Sequence, residues 1–371
     1  MAFYTKDERE KYYGYYLLYE KISDLSLKKK VLVGCNLATK KIDEKFNRTN
    51  LLFRPTAIQI EPTTKCNLKC KFCLSPVWER KGKDMDIGDF KKIIDQFPFL
   101  VNVLLQGVGE PLMCKDFFKM IEYCHHKKIK VGTVTNGTLL DNETVKKILD
   151  SKIEWLAISI DGSKPETFEN IRIGANFNQV ISNVSNLIKM RGNSKIPRIP
   201  IHFVGNINNM NELPGVVRLA KNIGADGVDI VGINSWGGQY ENVKSINQTE
   251  KLKQDVAEKY LNEASALANE IGITFDAVGK DGGYMWYQNE NIKKNPIHCQ
   301  FIFKSCFITV EGHVTPCTNW TDRDNIAFGN ILKEDFNSIW NSQKIIELRD
   351  SYIRGEIPEP CRDCTEPHLV R

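Results

Sequence analysis

A chain of 371 residues, 42% of them hydrophobic, is long enough to bury one large core with a smaller module beside it, so two folded units are expected. Its 51 basic and 46 acidic side chains leave a formal charge of only +5, and runs such as Lys28-Lys29-Lys30 are offset by acidic neighbours, which argues against a nucleic-acid partner. No stretch approaches the length of a membrane span and no signal-peptide layout is present, so a cytoplasmic protein without a membrane partner is expected.

Residues 1–50 are charged and tyrosine-rich, with Tyr12, Tyr13, Tyr15, Tyr16 and Tyr19 in a segment without proline. They read as a helical N-terminal arm that packs on the following domain, with a substrate-recognition cap as the alternative. From residue 56 onward, short apolar runs alternate with amphipathic stretches. Strands are expected near Ala57–Glu61, Val101–Gln106, Lys130–Thr135, Trp155–Ile160, Pro200–Val204 and Val228–Val231. Helices are expected around Gly88–Gln96, Asp116–His126, Asn142–Ser151, Phe177–Met190 and Asn211–Ile223. Such repeated strand-helix units predict an α/β fold whose parallel sheet curls into a partial or full barrel over residues 51–285, with ligand sites at the C-terminal ends of its strands. A further helix over Glu250–Ile271 leads to a Gly- and aromatic-rich linker or lid, Gly279–Tyr287, and a second module over residues 286–371.

The first strand runs into Glu61-Pro-Thr-Thr-Lys-Cys66-Asn-Leu-Lys-Cys70-Lys-Phe-Cys73, a C-x3-C-x2-C loop. A cubic four-iron cluster has four corners, so three thiolates on one loop leave one iron open to an outside ligand. The alternative, a zinc site built from Cys70-x2-Cys73 and Cys361-x2-Cys364, leaves Cys66 without a role. After the second strand, Gln106-Gly-Val-Gly-Glu-Pro111 offers glycines for close backbone approach and a carboxylate for a charged amine, though such a run is also an ordinary tight turn. The next two strands end in Thr135-Asn-Gly137 and Ser159-Ile-Asp-Gly162, each an ordinary strand exit when taken alone. His202 reads as a core histidine.

Near the C-terminus, the stretch from Cys299 to Cys317 reads as a hairpin turning at Glu311-Gly312 that brings these two cysteines together, and Cys361-Arg-Asp-Cys364 supplies a second pair. Four thiolates close an iron-sulfur cluster, with closed zinc ligation as the alternative. Cys306 shares strand parity with Ile308 and Val310, which suits a buried apolar role; it could instead replace Cys299 as a ligand or give a hydrogen atom to a substrate radical. Cys35, Cys114 and Cys124 show no metal spacing. Seven of eleven cysteines in metal-type spacings point to a reducing compartment rather than to disulfides.

The cysteine loop, with Phe72 in its aromatic position, resembles that of the radical S-adenosylmethionine (SAM) enzymes. The resemblance implies a partial (β/α)6 barrel, a 4Fe-4S cluster on Cys66, Cys70 and Cys73, and SAM as cosubstrate. The run Gly107, Gly109, Glu110 and Pro111 is similar to the family's glycine-rich element that meets the SAM amino group, with Val108 separating the two glycines. By the same resemblance Asn136 lines the SAM site, Ser159 and Arg172 hold the SAM carboxylate, and Val231 packs on adenine. An arginine suits a carboxylate because its planar fork gives paired charge-assisted hydrogen bonds. C-x12-G-x4-C followed by C-x2-C resembles the start of the SPASM module. Because the chain ends seven residues after Cys364, the truncated "twitch" form is expected, with one auxiliary 4Fe-4S cluster on Cys299, Cys317, Cys361 and Cys364.

The implied activity is that of a radical SAM oxidoreductase. It cleaves SAM reductively to a 5'-deoxyadenosyl radical, abstracts a substrate hydrogen and dehydrogenates a small molecule in natural-product biosynthesis, with flavodoxin or ferredoxin as reductant. Asp276, Asp281 and Tyr284 are proton-acceptor candidates by position alone. Peptide or protein maturation is the closest rival, weighed down by the absence of a recognisable leader-binding segment in the first 50 residues. Radical epimerisation is a second enzymatic rival, and a metal-binding scaffold without catalytic activity is the rival from another class.

Overall fold

A computed structural model describes residues 25–76, 82–232, 254–277, 298–317, 327–356 and 368–369. The tyrosines of residues 12–19, the Gly279–Tyr287 stretch, Asp281, Tyr284, Cys361 and Cys364 lie outside them. The described part of the N-terminal arm holds helix α1 (Leu27–Lys45), whose first turn is capped by the Ser26 hydroxyl.

Strand-helix alternation then builds the body of the protein. Its elements are β1 (Ala57–Ile60), α2 (Ile87–Asp95), β2 (Asn102–Leu105), α3 (Phe117–His126), β3 (Lys130–Thr135), α4 (Asn142–Ser151), β4 (Trp155–Ser159), α5 (Pro165–Ile171), α6 (Phe177–Arg191), β5 (Pro200–Gly205), α7 (Leu213–Ile223), β6 (Gly227–Gly232), α8 (Gln254–Ile271) and β7 (Thr274–Ala277). Side-chain caps mark the helix starts: Asp86 bonds Gly88 N–H, Asp141 bonds Thr144 N–H and Asn176 bonds Gln179 N–H. All six expected strands are present. The sequence reading missed β7, a four-residue strand with one large apolar side chain, and α5, one short helix between β4 and α6.

The strands β1 to β7 pair in sequence order and in parallel. A crossover helix after each of β1 to β6 covers one face of the sheet, where Leu156, Ile158, Ile160, Ile201, Phe203, Val228 and Ile230 are fully buried in one large apolar core. On the opposite, inner face Leu104, Val134, Trp155 and Ala157 form a separate apolar floor. Above that floor the register aligns Ser159 with His202, His202 with Asp229, and Asp229 with Asp276, one polar rung across four strands.

The C-terminal residues join the same sheet. They form β8 (His298–Cys299), α9 (Gln300–Lys304), β9 (Phe307–Ile308), β10 (His313–Thr315), β11 (Gly329–Asn330), α10 (Phe336–Trp340), α11 (Gln343–Ile353) and β12 (His368–Leu369). Strand β9 adds in parallel to the free side of β1, and β10 and β11 follow antiparallel, which completes ten strands. Among the described residues β7 and β11 have no second neighbour, so the barrel is partial and open. The expected hairpin is there, as β9 and β10 around a turn where Gly312 has φ +83°. It does not hold Cys299, because α9 separates that residue from β9; β8 pairs instead with β12, His368 facing Cys299. The apolar run after Cys299 was readable as either a strand or a helix turn, and the helix won.

Candidate SAM and cluster site

Everything at the candidate site hangs on the loop that leaves β1. Its backbone is held from two sides. Lys69 N–H donates to Ile173 O at 2.9 Å and Lys71 N–H to Ile171 O at 3.0 Å, which sets Cys70 opposite Arg172. On the other side Glu110 N–H donates to Lys65 O at 2.7 Å. Asn67, between the first two cysteines, accepts from Asn136 Nδ2 at 2.9 Å and donates to Thr138 Oγ1 at 2.8 Å.

Cys66, Cys70 and Cys73 therefore share one fixed loop. Burial pushes the Cys66 and Cys70 thiols up and carries Cys73 up to about 12, and the neighbouring thiols raise Cys66 and Cys73 further. Arg172 pulls all three the other way. Three thiolates so close together in a buried loop need cationic metal to stay ionised. Among the described residues no three His, Cys, Asp or Glu side chains converge on a single ion. Ser75 N–H donates to Cys73 Sγ at 3.4 Å.

The glycine run after β2 is tight for a reason other than a ligand. A Cβ on Gly109 would fall 2.6 Å from Lys65 O and clash with Thr63 O, and one on Gly107 would strike the Glu61 side chain. The glycines let β2 close onto the root of the cysteine loop. Glu110 is 3% exposed, and its carboxylate accepts from Thr135 Oγ1 at 2.7 Å, Asn136 N–H at 2.8 Å and Leu112 N–H at 3.2 Å. Burial pushes its pKa up and these donors hold it down. Three of about four acceptor positions on a carboxylate are thus filled by protein, leaving room for one further donor. Pro111 opens the single short 3-10 turn that follows.

The remaining expected residues gather at the same end of the sheet. Ser159 ends β4, buried and paired in register with His202. Burial, and then the Arg172 charge, hold the His202 imidazole down at about 3, so it is neutral. Val231 pairs with Val204 near the end of β6, two residues beyond the polar rung. Arg172 caps the C-terminal end of α5. Its Nη2 lies 2.6 Å from Asp161 Oδ2. Asp161, which the sequence reading took for a turn-former in Ser159-Ile-Asp-Gly162, is fully buried and accepts Val204 N–H at 2.8 Å. An acidic residue two positions after Ser159 was the available signal for this pair.

The module's cysteines are partly placed. Cys299 and Cys317 are half-buried, and the strand that follows Cys361 and Cys364 in sequence pairs with Cys299. Cys306 faces the large core with Ile308 and Val310, away from the inner face, and burial pushes its thiol far up. Cys114 and Cys124 are in the same core, and Cys35 is exposed.

Two family models match the chain: the radical SAM superfamily over residues 60–220, and the SPASM iron-sulfur cluster-binding domain over residues 299–365. Among curated relatives, the tungsten-containing aldehyde ferredoxin oxidoreductase cofactor-modifying protein of Pyrococcus furiosus is 25% identical, covering 83% of this chain and 86% of its own. The PqqA peptide cyclase of Gluconobacter oxydans is 24% identical, covering 84% and 82%. Among solved structures, Streptococcus suis SuiB bound to precursor peptide SuiA superposes with a TM-score of 0.63 at 17% identity, over 88% of this chain and 73% of that one, a likeness of fold. Its parallel open barrel, its cysteine loop and these matches agree: the chain belongs to the radical SAM superfamily, with a C-terminal SPASM domain and with SAM and iron-sulfur clusters as cofactors.

Proposed function

We propose that this radical SAM enzyme matures a peptide, removing hydrogen from a residue of its substrate to form a new bond. The observation that carries this reading is the match to a PqqA peptide cyclase over 84% of the chain. It reverses the preference for a small molecule that the sequence alone suggested. Small-molecule dehydrogenation stays as the second reading, favoured by the equally long match to a cofactor-modifying protein.

In this reading Cys66, Cys70 and Cys73 hold the catalytic cluster, and Cys299, Cys317, Cys361 and Cys364 hold an auxiliary one. Bound together, the cluster and SAM would supply the 5'-deoxyadenosyl radical that takes one hydrogen atom; the second would leave as a proton, with its electron passing to the auxiliary cluster. The chain's own residues orient and enclose. Glu110 offers its remaining acceptor position to the SAM amine, while Ser159 and the Arg172 guanidinium offer donors to its carboxylate. Phe72, Gly107, Gly109, Pro111 and Asn136 shape the loops around it, and Val231 packs on adenine. His202, held neutral, adds no second positive charge beside Arg172. The barrel spans residues 51–285 and the module 286–371, with flavodoxin or ferredoxin as reductant.

The test is anaerobic reconstitution of wild type and of a Cys66→Ala/Cys70→Ala/Cys73→Ala variant, followed by SAM, dithionite and any short peptide encoded beside the gene. About eight irons falling to about four, with 5'-deoxyadenosine and a peptide lighter by two hydrogens only with wild type, supports the proposal. SAM cleavage without any change in such a peptide, but with oxidation of a small molecule, moves the assignment to the second reading. Zinc in place of iron overturns both.

A further inference from the structure

Arg172 is the meeting point of three segments. It ends α5, its backbone neighbours Ile171 and Ile173 hold the cysteine loop, and its side chain reaches back to Asp161 beyond β4. Asp161 is locked in turn. Its Oδ1 takes Val204 N–H at 2.8 Å and its backbone carbonyl takes Asn209 Nδ2 at 3.0 Å. A guanidinium has five N–H donors. One group faces Asp161, Nε is buried with no protein acceptor among the described residues, and the backbone bonds of Ile171 and Ile173 set the residue opposite Cys70. Burial works against this charge, and Asp161 and Cys70 together outweigh it.

We propose that Asp161 is a positioning residue that holds the Arg172 guanidinium beside the cysteine loop, and that its charge there raises the reduction potential of the cluster on Cys66, Cys70 and Cys73. The inference rests on those cysteines being cluster ligands. A positive charge beside the ligand sulfurs favours the reduced cluster, which carries one more negative charge than the oxidised one. Asp161 is itself an anion. If it acted only through its own field it would lower the potential, so its two conceivable effects have opposite signs.

That opposition makes the test decisive. The potential of the cluster is read by EPR-monitored titration of the reconstituted holoenzyme without SAM, the relevant signal being the one absent from Cys66→Ala/Cys70→Ala/Cys73→Ala. Arg172→Gln is expected to shift it negative. Asp161→Asn is expected to shift it negative as well, despite removing a negative charge, because Arg172 loses its anchor. A positive shift, or none, in Asp161→Asn overturns the proposal. Should Asp161→Asn fail to fold, Arg172→Gln decides alone: an unchanged or positively shifted potential there is equally fatal. If the cysteine triple variant keeps both signals, the ligand assignment itself has failed, an outcome visible before any potential is measured.

Discussion

The Glu61 carboxylate, fully buried at the end of β1, accepts the backbone N–H of Val310 through Oε2 at 3.2 Å and that of Val108 through Oε1 at 3.3 Å. One side chain thus joins the root of the cysteine loop, the glycine run and the SPASM hairpin. Its position between two backbone donors requires an acceptor on both sides, and only a carboxylate offers that.

Glu61→Gln tests this requirement with almost no change of volume. Whichever way the amide turns, its NH2 faces a backbone donor, so an unmatched buried donor costs about 1–3 kcal/mol. The expected result is a lower urea midpoint with an unchanged slope. A midpoint equal to wild type would mean that the hairpin does not depend on this carboxylate.

The two glycine classes should respond oppositely to alanine. Gly109→Ala forces a Cβ against the carbonyls of Thr63 and Lys65, which are backbone and cannot give way; a loss of about 1–3 kcal/mol is expected, together with poor reconstitution of the cluster. Gly34, exposed in the middle of α1, has open space around its missing Cβ, and Gly34→Ala should raise stability by about 0.5–1 kcal/mol. Thermal melts of both variants check the pair.

Cys306 separates ligand from core. Cys306→Ala should keep the full iron content and lose about 1–2 kcal/mol, as for truncation of a small buried apolar group. Loss of about half the iron on reconstitution would instead make it a cluster ligand.

Two groups on the polar rung give opposing pH dependence. Burial, and then the charge of Asp229, push Asp276 up to about 6 from an ordinary 3.8, while burial holds His202 at about 3 instead of 6.5. Between about pH 4 and 6 the folded protein keeps a proton on Asp276 that the unfolded chain has released, so this group lowers stability as pH rises. Over about pH 3 to 6.5 the unfolded chain keeps a proton on His202 that the folded protein lacks, so that group raises it. Asp276→Asn removes the falling contribution alone. The gain in stability from pH 4 to pH 6 should then exceed that of wild type by on the order of 2–3 kcal/mol, read from urea melts at each pH. Parallel curves would place Asp276 among ordinary carboxylates.

Much of this architecture was legible in the chain because its signals are local. Alternating apolar runs gave the six barrel strands, and the spacing of Cys66, Cys70 and Cys73 marked the loop around which the candidate site is built. What escaped the reading is mostly non-local. Nothing near Arg172 in sequence says that its partner is Asp161, and nothing near Gly109 says that its crowding comes from Thr63 and Lys65 rather than from a ligand. Cys299 was assigned to a hairpin because a run of three apolar residues, Phe301 to Phe303, has no periodicity long enough to distinguish strand from helix. Strand β7 was too short and too polar to stand out. The expectation of a small-molecule substrate drew on the C-terminal cysteine pattern and on a reading of the first 50 residues, and the long match to a peptide cyclase weighs against it.

The pairing of β9 with β1 has a consequence for how the protein is made. Ribosomal synthesis delivers β1 and its cysteine loop early, yet the amides of Gln59 and Glu61 find their acceptors on Cys306 and Ile308, made two thirds of the chain later. Until then the strand bearing the loop has one bare side, a slow, long-range closure of the kind that invites aggregation. Expressing the barrel without its C-terminal module would make that bare edge permanent, so the two halves are best produced as one polypeptide.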